Sequence, residues 1–150
     1  MKKILLVGVV SSIFSASVFA AACDGAGGAQ TVTAPTSSTG PTGEMCVCNG
    51  GTAIKSTVNG GSGTPVATPV FVKTGFDVQC STNTLVSFNE VSGTAFAVGS
   101  GSVKGNQSFK GNSNGGAVGV NAKCSGTNDS CTAANVTAAT AAATVEAGGS

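Results

Sequence analysis

Residues 70–91, VFVKTGFDVQCSTNTLVSFNEV, show the clearest alternation of apolar and polar side chains in the chain, and they decide the fold class. One face of the first predicted strand carries Phe76, Val78 and Cys80, whereas the other face carries Asp77 and Gln79. After the turn-forming sequence STNT, alternation resumes through Val86, Ser87, Phe88 and Asn89. Successive side chains of a β-strand point to opposite faces, so the stretch predicts two half-buried strands joined by a turn.

The same signal recurs on both sides of this stretch, in the runs 45–58, 95–103 and 117–124. Turn sequences predict a hairpin inside the first run and another before the last, at Asn49-Gly50-Gly51 and Asn114-Gly115-Gly116. Two prolines, Pro65 and Pro69, bracket a predicted edge strand. Alternation in the last run places four side chains on one face: Val118, Val120, Ala122 and Cys124. We therefore expect residues 44–131 to form a mainly β domain, a small antiparallel sandwich or open barrel.

The first 20 residues have the layout of a secretory signal peptide. Two lysines precede an apolar stretch that serines dilute, and Ala20 ends a triplet that signal peptidases accept. Cleavage after Ala22 is the alternative, and it makes Cys23 the first residue of the mature chain. After cleavage we expect no transmembrane segment, because no other stretch is long and apolar enough to span a bilayer.

Two segments flank the predicted β domain. Residues 21–43 contain almost no large apolar side chain, so we expect a flexible arm or linker; the alternative is a donor strand around Val32 that completes a neighbour's sheet. Residues 132–150 form an Ala-rich tail without alternation, which is either helical or disordered. A helix there is expected to start near Cys131 and to be capped by Asn128, Asp129 or Ser130.

The chain has six cysteines, an even number that predicts a disulfide framework in an exported protein. They are Cys23, Cys46, Cys48, Cys80, Cys124 and Cys131. We expect a local Cys124–Cys131 bond and a bond from Cys80 to Cys46 or Cys48, although the sequence leaves the connectivity open. If cleavage follows Ala22, acylation of Cys23 as in a lipoprotein is an alternative.

The pair Cys46-Val47-Cys48 is also a candidate for a shared metal ion or a redox dithiol. Two cysteines at positions i and i+2 of a regular strand point the same way, which suits a common ligand. However, the chain has no histidine to complete a metal site, and an oxidising compartment favours disulfides. We therefore expect no metal and no cofactor.

Charge and side-chain inventory exclude several classes of function. The formal net charge is only +1, and no basic patch is available for a nucleic-acid backbone. The chain lacks His, Arg, Tyr and Trp, so a serine triad has no imidazole base. A Ser102–Lys104 pair and an Asp77–Glu90 carboxylate pair are conceivable alternatives, but we interpret them as exposed polar groups and solvated charges. We expect no catalytic residues and no enzyme activity.

These observations favour an exported bacterial protein with a structural or surface role, in the periplasm, on the outer-membrane surface or outside the cell. Self-association through open sheet edges is the expected mode of assembly, for example in a filament or outer layer. In export, size and β content the chain is similar to fimbrial subunits. It lacks the alternating, aromatic C-terminal strand of chaperone–usher pilins and the long apolar helix of type IV pilins. The alternative is a periplasmic or lipid-anchored module that binds a glycan or a protein.

Overall fold

The computed structural model describes Cys23 and residues 31–33, 44–59, 71–72, 74–115 and 117–149. The predicted signal peptide, most of the predicted arm and the run between Pro65 and Pro69 lie outside these residues. The elements are β1 (Thr31–Thr33), β2 (Met45–Asn49), β3 (Ile54–Asn59), β4 (Phe76–Cys80), β5 (Thr84–Glu90), β6 (Phe96–Ser102), β7 (Gln107–Asn112), β8 (Gly119–Lys123), a 3-10 turn (Thr127–Asp129) and helix α1 (Ala133–Gly148).

The strands form two sheets, which confirms the predicted mainly β, antiparallel sandwich. Sheet A has the order β1-β3-β4, in which β4 is antiparallel and β1 parallel to the central strand. Sheet B has the order β2-β5-β6-β7-β8, and each neighbouring pair is antiparallel. The predicted β7–β8 hairpin is confirmed, and Gly115 supplies its positive φ of 97°.

The predicted hairpin over 45–58 is wrong, because its two strands belong to different sheets. β2 pairs with β5, whereas β3 pairs with β1 and β4. Gly50, with a φ of 79°, turns the chain from one layer into the other. The Ser56 hydroxyl of β3 donates a hydrogen bond to the Val47 carbonyl oxygen of β2 at 2.7 Å. This side-chain hydrogen bond links the two strands, whereas backbone hydrogen bonds would link them in a hairpin. Turn residues alone do not fix which strands pair, because pairing also depends on the layer into which each apolar face is buried.

The core between the sheets contains most of the apolar side chains that the alternation predicted, but Phe76 of β4 is 46% exposed and lies outside it. Its buried members are Val47, Cys48, Val58, Val72, Cys80 and Phe88. Phe96 extends this core through stacked rings, with centroids 5.1 Å from Phe88 and 5.0 Å from Phe71. Val86 and Phe88 of β5 therefore face sheet A, as predicted.

Helix α1 covers the opposite face of sheet B and makes a third layer. The helix confirms one of the two expectations for the Ala-rich segment. Its buried side is made of small residues, namely Val136, Ala139, Thr140, Ala143 and Ala147. The N-cap is Thr132, whose backbone N–H donates to Asn135 Oδ1 at 3.0 Å, so the three predicted caps are wrong. Residues 127–129 form the 3-10 turn instead, and the helix starts at Ala133, close to Cys131 as expected.

The polar side of β5 lies beneath this helix. The Ser87 and Thr140 hydroxyls are 2.6 Å apart and buried, and Asn89 Nδ2 donates to Thr144 Oγ1 at 3.1 Å. Neighbouring β6 presents Ala97, Gly99 and Gly101 to the helix. Strands β5 and β6 are therefore buried on both faces. Mainly apolar side chains face sheet A, whereas hydroxyl, amide and glycine residues face the helix.

The predicted arm contributes one strand to its own chain. Thr31–Thr33 pairs in parallel with Thr57–Asn59, so this segment adds to an edge of sheet A. The donor-strand alternative placed such a strand in a neighbour's sheet, whereas here the pairing is intramolecular. Cys23, at the start of the arm, belongs to a second buried cluster, on the helix side of sheet B. The members of this helix-side cluster are Cys23, Cys46, Leu85, Cys124, Cys131 and Val136.

Candidate functional site

The predicted disulfides form, and all six cysteines are paired. The bonds are Cys23–Cys46, Cys48–Cys80 and Cys124–Cys131. The second bond joins the two sheets, and the third joins the end of β8 to the start of α1. A lipid thioether at Cys23 and the Cys23–Cys46 disulfide would use the same sulfur atom, so the two are mutually exclusive. Acylation of Cys23 therefore stays a prediction for a form of the protein in which Cys23 is not bonded to Cys46.

The expectation that Cys46 and Cys48 point the same way is wrong. In the β2–β5 register, Cys46 lies opposite Ser87 and Cys48 opposite Val86, which leaves Val47 as the extra residue of a β-bulge. Because adjacent residues of β5 face opposite sides, the bulge sends one cysteine under the helix and the other into the sandwich. Each sulfur therefore meets a different partner. Among the described residues, no group of three or more potential ligands could hold a metal ion.

The two candidate carboxylates lie on different faces of the molecule. Asp77 is on the outer face of sheet A, where Lys55 Nζ lies 3.1 Å from Oδ2 and the Thr57 hydroxyl donates to Oδ1 at 2.9 Å. The hydrogen bond from Thr57, followed by the bond and charge of Lys55, lowers the pKa of Asp77. Asp77 is therefore the exposed, paired charge that its strand face predicts.

Glu90, in contrast, is not a solvated charge, and that interpretation is wrong for this residue. Its side chain is 1% exposed at the end of β5, on the face that points between the sheets. Oε1 accepts the backbone N–H of Val72 at 2.7 Å, next to the stacked rings of Phe71 and Phe96. Burial raises the pKa of the carboxyl, and the Val72 hydrogen bond acts in the opposite direction. This geometry makes Glu90 a structural acceptor for the segment that precedes β4.

We expect Glu90→Gln to flatten the dependence of stability on pH. A carboxyl whose pKa is raised on folding stabilises the folded state below its ordinary value of 4.5, and this contribution is lost as pH rises through the folded value. The amide oxygen of glutamine can still accept from Val72, but it does not ionise. Urea unfolding from about pH 4 to pH 7 should therefore show a decline in the wild type that is smaller in the variant. Parallel curves for the two proteins would contradict this role.

The Ser102–Lys104 pair does not form a nucleophile and base. Ser102 Oγ accepts the backbone N–H of Lys104 at 3.2 Å, and the lysine side chain is exposed to solvent. The local contact is that of a tight turn between β6 and β7.

The face of sheet B that points towards sheet A is wider than sheet A. Sheet A packs over β2, β5 and part of β6, whereas β7 and β8 extend past it. Phe109 on β7 is 38% exposed, and its cross-strand partner Val120 is 52% exposed. Val118 lies over Gly111 on the same face and is 74% exposed. We call Phe109, Val118 and Val120 the apolar strip.

A second bulge shapes the edge beside this strip. Val120 lies opposite Phe109 and Ala122 opposite Ser108, so Asn121 is the extra residue of β8. The prediction that four side chains of the run 117–124 share a face is therefore wrong. Val118 and Val120 face outwards in the strip, whereas Cys124 lies in the helix-side cluster. No alternation rule could have found the strip, because its exposure depends on the width of sheet A.

A shallow groove continues the strip towards the β6–β7 turn. Its volume is about 410 Å³, and it lies between Thr84, Ser100, Ser102, Asn106, Gln107 and Phe109, with Gly101 and Gly105 at the base. The groove brings together hydroxyl and amide side chains from three strands that the sequence analysis did not group. Among the described residues, no acidic or basic side chain lines this groove, which is open to solvent.

Comparison with known proteins adds no relative. No family model matches the chain, and no curated protein or solved structure is significantly similar to it. In the part of the chain that the structure describes, no helix is both long and apolar enough to cross a membrane.

Proposed function

We propose that the protein is an exported, non-enzymatic structural protein that assembles with further copies of itself through the apolar strip and the adjacent edge of β8. The observation that carries this proposal is the exposure of three contiguous apolar side chains on the uncovered part of sheet B. Contiguous exposed apolar surface on a soluble protein marks an interaction site more often than isolated apolar residues do.

A second copy of the chain is the partner that this surface fits best. The strip lies on the same side of sheet B as the sandwich core, so another sheet packed there extends that core with the same kind of contact. The outer edge of β8 has no neighbouring strand among the described residues. Its bulge at Asn121 and the charge of Lys123 disfavour strand pairing along the second half. Strand pairing between two copies is therefore confined to the first half of β8, next to Val118 and Val120.

The disulfides and the composition support an extracytoplasmic location. Three disulfides persist in oxidising compartments, which include the bacterial periplasm and cell surface. A near-neutral surface with three interlayer and terminal cross-links suits a durable assembly such as a filament or outer layer. We propose the periplasm, the outer-membrane surface or the cell exterior as the place where it acts.

Replacing both strip valines with aspartate should abolish self-assembly. In Val118→Asp/Val120→Asp, two charges must be desolvated in any contact that buries the strip, so the dissociation constant should rise at least about 100-fold. Sedimentation velocity over a range of concentrations, with electron microscopy of the wild type, measures the change.

The matched control is Val145→Asp. Val145 is 76% exposed on the outer side of α1, so the substitution adds a charge of the same kind outside the strip. We expect this variant to assemble as the wild type does, and both variants to keep the wild-type unfolding midpoint. A wild type that stays monomeric at every concentration, or equal loss of assembly in both variants, would rule out the proposal.

A further inference from the structure

The groove beside Phe109 has the composition of a carbohydrate site. Its lining contains three hydroxyl side chains, two amide side chains and one aromatic ring. Among the described residues, no lysine, aspartate or glutamate lines it. Binding sites of this kind combine an apolar platform with a few polar groups that fix orientation.

The sheet register holds these side chains at regular spacings. Ser102 lies opposite Thr84 on the neighbouring strand, and Ser100 lies opposite Phe109. Neighbouring strands are about 4.8 Å apart, and residues i and i+2 of a strand are about 7 Å apart. The hydroxyls therefore lie on one rigid face at separations comparable with the width of a sugar ring.

The polar groups of the groove are available to a ligand. The side chains of Thr84, Ser100, Asn106 and Gln107 make no hydrogen bond with another described residue. Asn106 and Gln107 are exposed, and the other two are half-buried. Ser102 Oγ accepts one backbone N–H, from Lys104, and its hydroxyl proton can still be donated.

We propose that this groove binds a neutral oligosaccharide, with one sugar ring packed on Phe109 and its hydroxyl groups bonded to the serine, threonine and amide side chains. A charged ligand finds no counter-charge in the lining. An extended peptide is disfavoured because the floor strands β5 and β6 have sheet neighbours on both sides, so their backbone groups are already paired. Only side-chain hydroxyls and amides remain, which match a ligand that is itself rich in hydroxyl groups.

This inference goes beyond self-assembly and does not depend on it. Phe109 belongs to both the strip and the groove, whereas Val118 and Val120 do not line the groove. Binding is therefore measured on the Val118→Asp/Val120→Asp variant as well as on the wild type. If the protein does not self-assemble but the groove binds a sugar, the proposed function is rejected and the carbohydrate site stands.

The test is an NMR titration of the ¹⁵N-labelled protein with maltotriose, cellotriose and chitotriose. We expect at least one trisaccharide to shift the amide signals of Ser100, Ser102 and Gln107 in a saturable manner. Phe109→Ala should weaken that binding about tenfold or more, since it removes the ring, while Val145→Ala should leave it unchanged. Far-ultraviolet circular dichroism confirms that both variants are folded.

Two results would overturn the proposal. One is the absence of saturable shifts in the groove with all three sugars. The other is a shift pattern that Phe109→Ala does not alter, since the sugar then binds without the ring. Saturable binding in the groove by a neutral hexapeptide, without binding by any sugar, would likewise assign the groove to peptides and reject the carbohydrate.

Discussion

Gly99→Val should lower the free energy of unfolding by more than about 3 kcal/mol and detach helix α1 from the sheet. A Cβ at Gly99 comes within 2.6 Å of the Val136 carbonyl oxygen and 2.7 Å of the Thr140 nitrogen, both of which belong to the helix backbone. Backbone atoms cannot rotate away as a side chain can, so the helix must move as a body. That movement also separates the buried Ser87–Thr140 hydroxyl pair.

Urea unfolding and circular dichroism at 222 nm measure both effects, and Gly119→Val is the matched control. Gly119 lies in the same sheet and is paired with Lys110, which faces the helix side and forms an ion pair with Glu146. The nearest atom to a Cβ at Gly119 is the Ala117 carbonyl oxygen at 3.9 Å, so valine fits there. We expect a change within about 0.5 kcal/mol for this control. Equal stability of the two variants would show that the helix does not require the close approach.

The second large effect is expected from the bond between the sheets. Cys48→Ala/Cys80→Ala opens a link across 32 residues, and loop-closure entropy gives a loss of about 4 kcal/mol. The loss is severe for this chain because, among the described residues, Phe88 is the only buried side chain of the core between the sheets that is larger than valine. A small core leaves little hydrophobic burial to replace the cross-link.

Comparison with Cys124→Ala/Cys131→Ala makes the experiment decisive. That bond spans only 7 residues, so the same entropy argument gives a loss of about 2.5 kcal/mol. Unfolding in guanidinium chloride, monitored at a concentration where both variants are monomeric, should therefore rank the inter-sheet variant as the less stable. The reverse order would show that loop length does not decide how much each bond stabilises the protein, and a wild-type midpoint in the inter-sheet variant would show that the inter-sheet bond does not stabilise the sandwich.

Several features of the fold follow from local sequence patterns. Alternation in residues 70–91 identified β4 and β5 and the buried faces of both strands, except that Phe76 at the start of β4 is exposed. The even cysteine count predicted complete pairing, and the closeness of Cys124 and Cys131 predicted their bond. The Ala-rich composition of residues 132–150 allowed a helix. These predictions succeed because strand period, helix composition and short loops are properties of neighbouring residues.

The candidate site was not predictable in the same way. Both edge strands of sheet B contain bulges, at Val47 and Asn121, and each bulge reverses the face of the residues that follow it. Alternation counted along the sequence therefore placed Cys46 with Cys48, and Val120 with Ala122, on common faces. Bulges leave no reliable mark in a single sequence, because the extra residue is defined by the partner strand.

The sequence by itself determined a disulfide-linked β protein with an Ala-rich segment outside the strand pattern, since these properties depend on composition and on spacings of a few residues. Only the tertiary structure decided that the polar face of β5 is buried under that helix, that Glu90 lies between the sheets, and that Phe109, Val118 and Val120 stay uncovered. Each of these depends on how far one layer extends over another. That extent is set by strand pairings between residues distant in the chain, which no local pattern records.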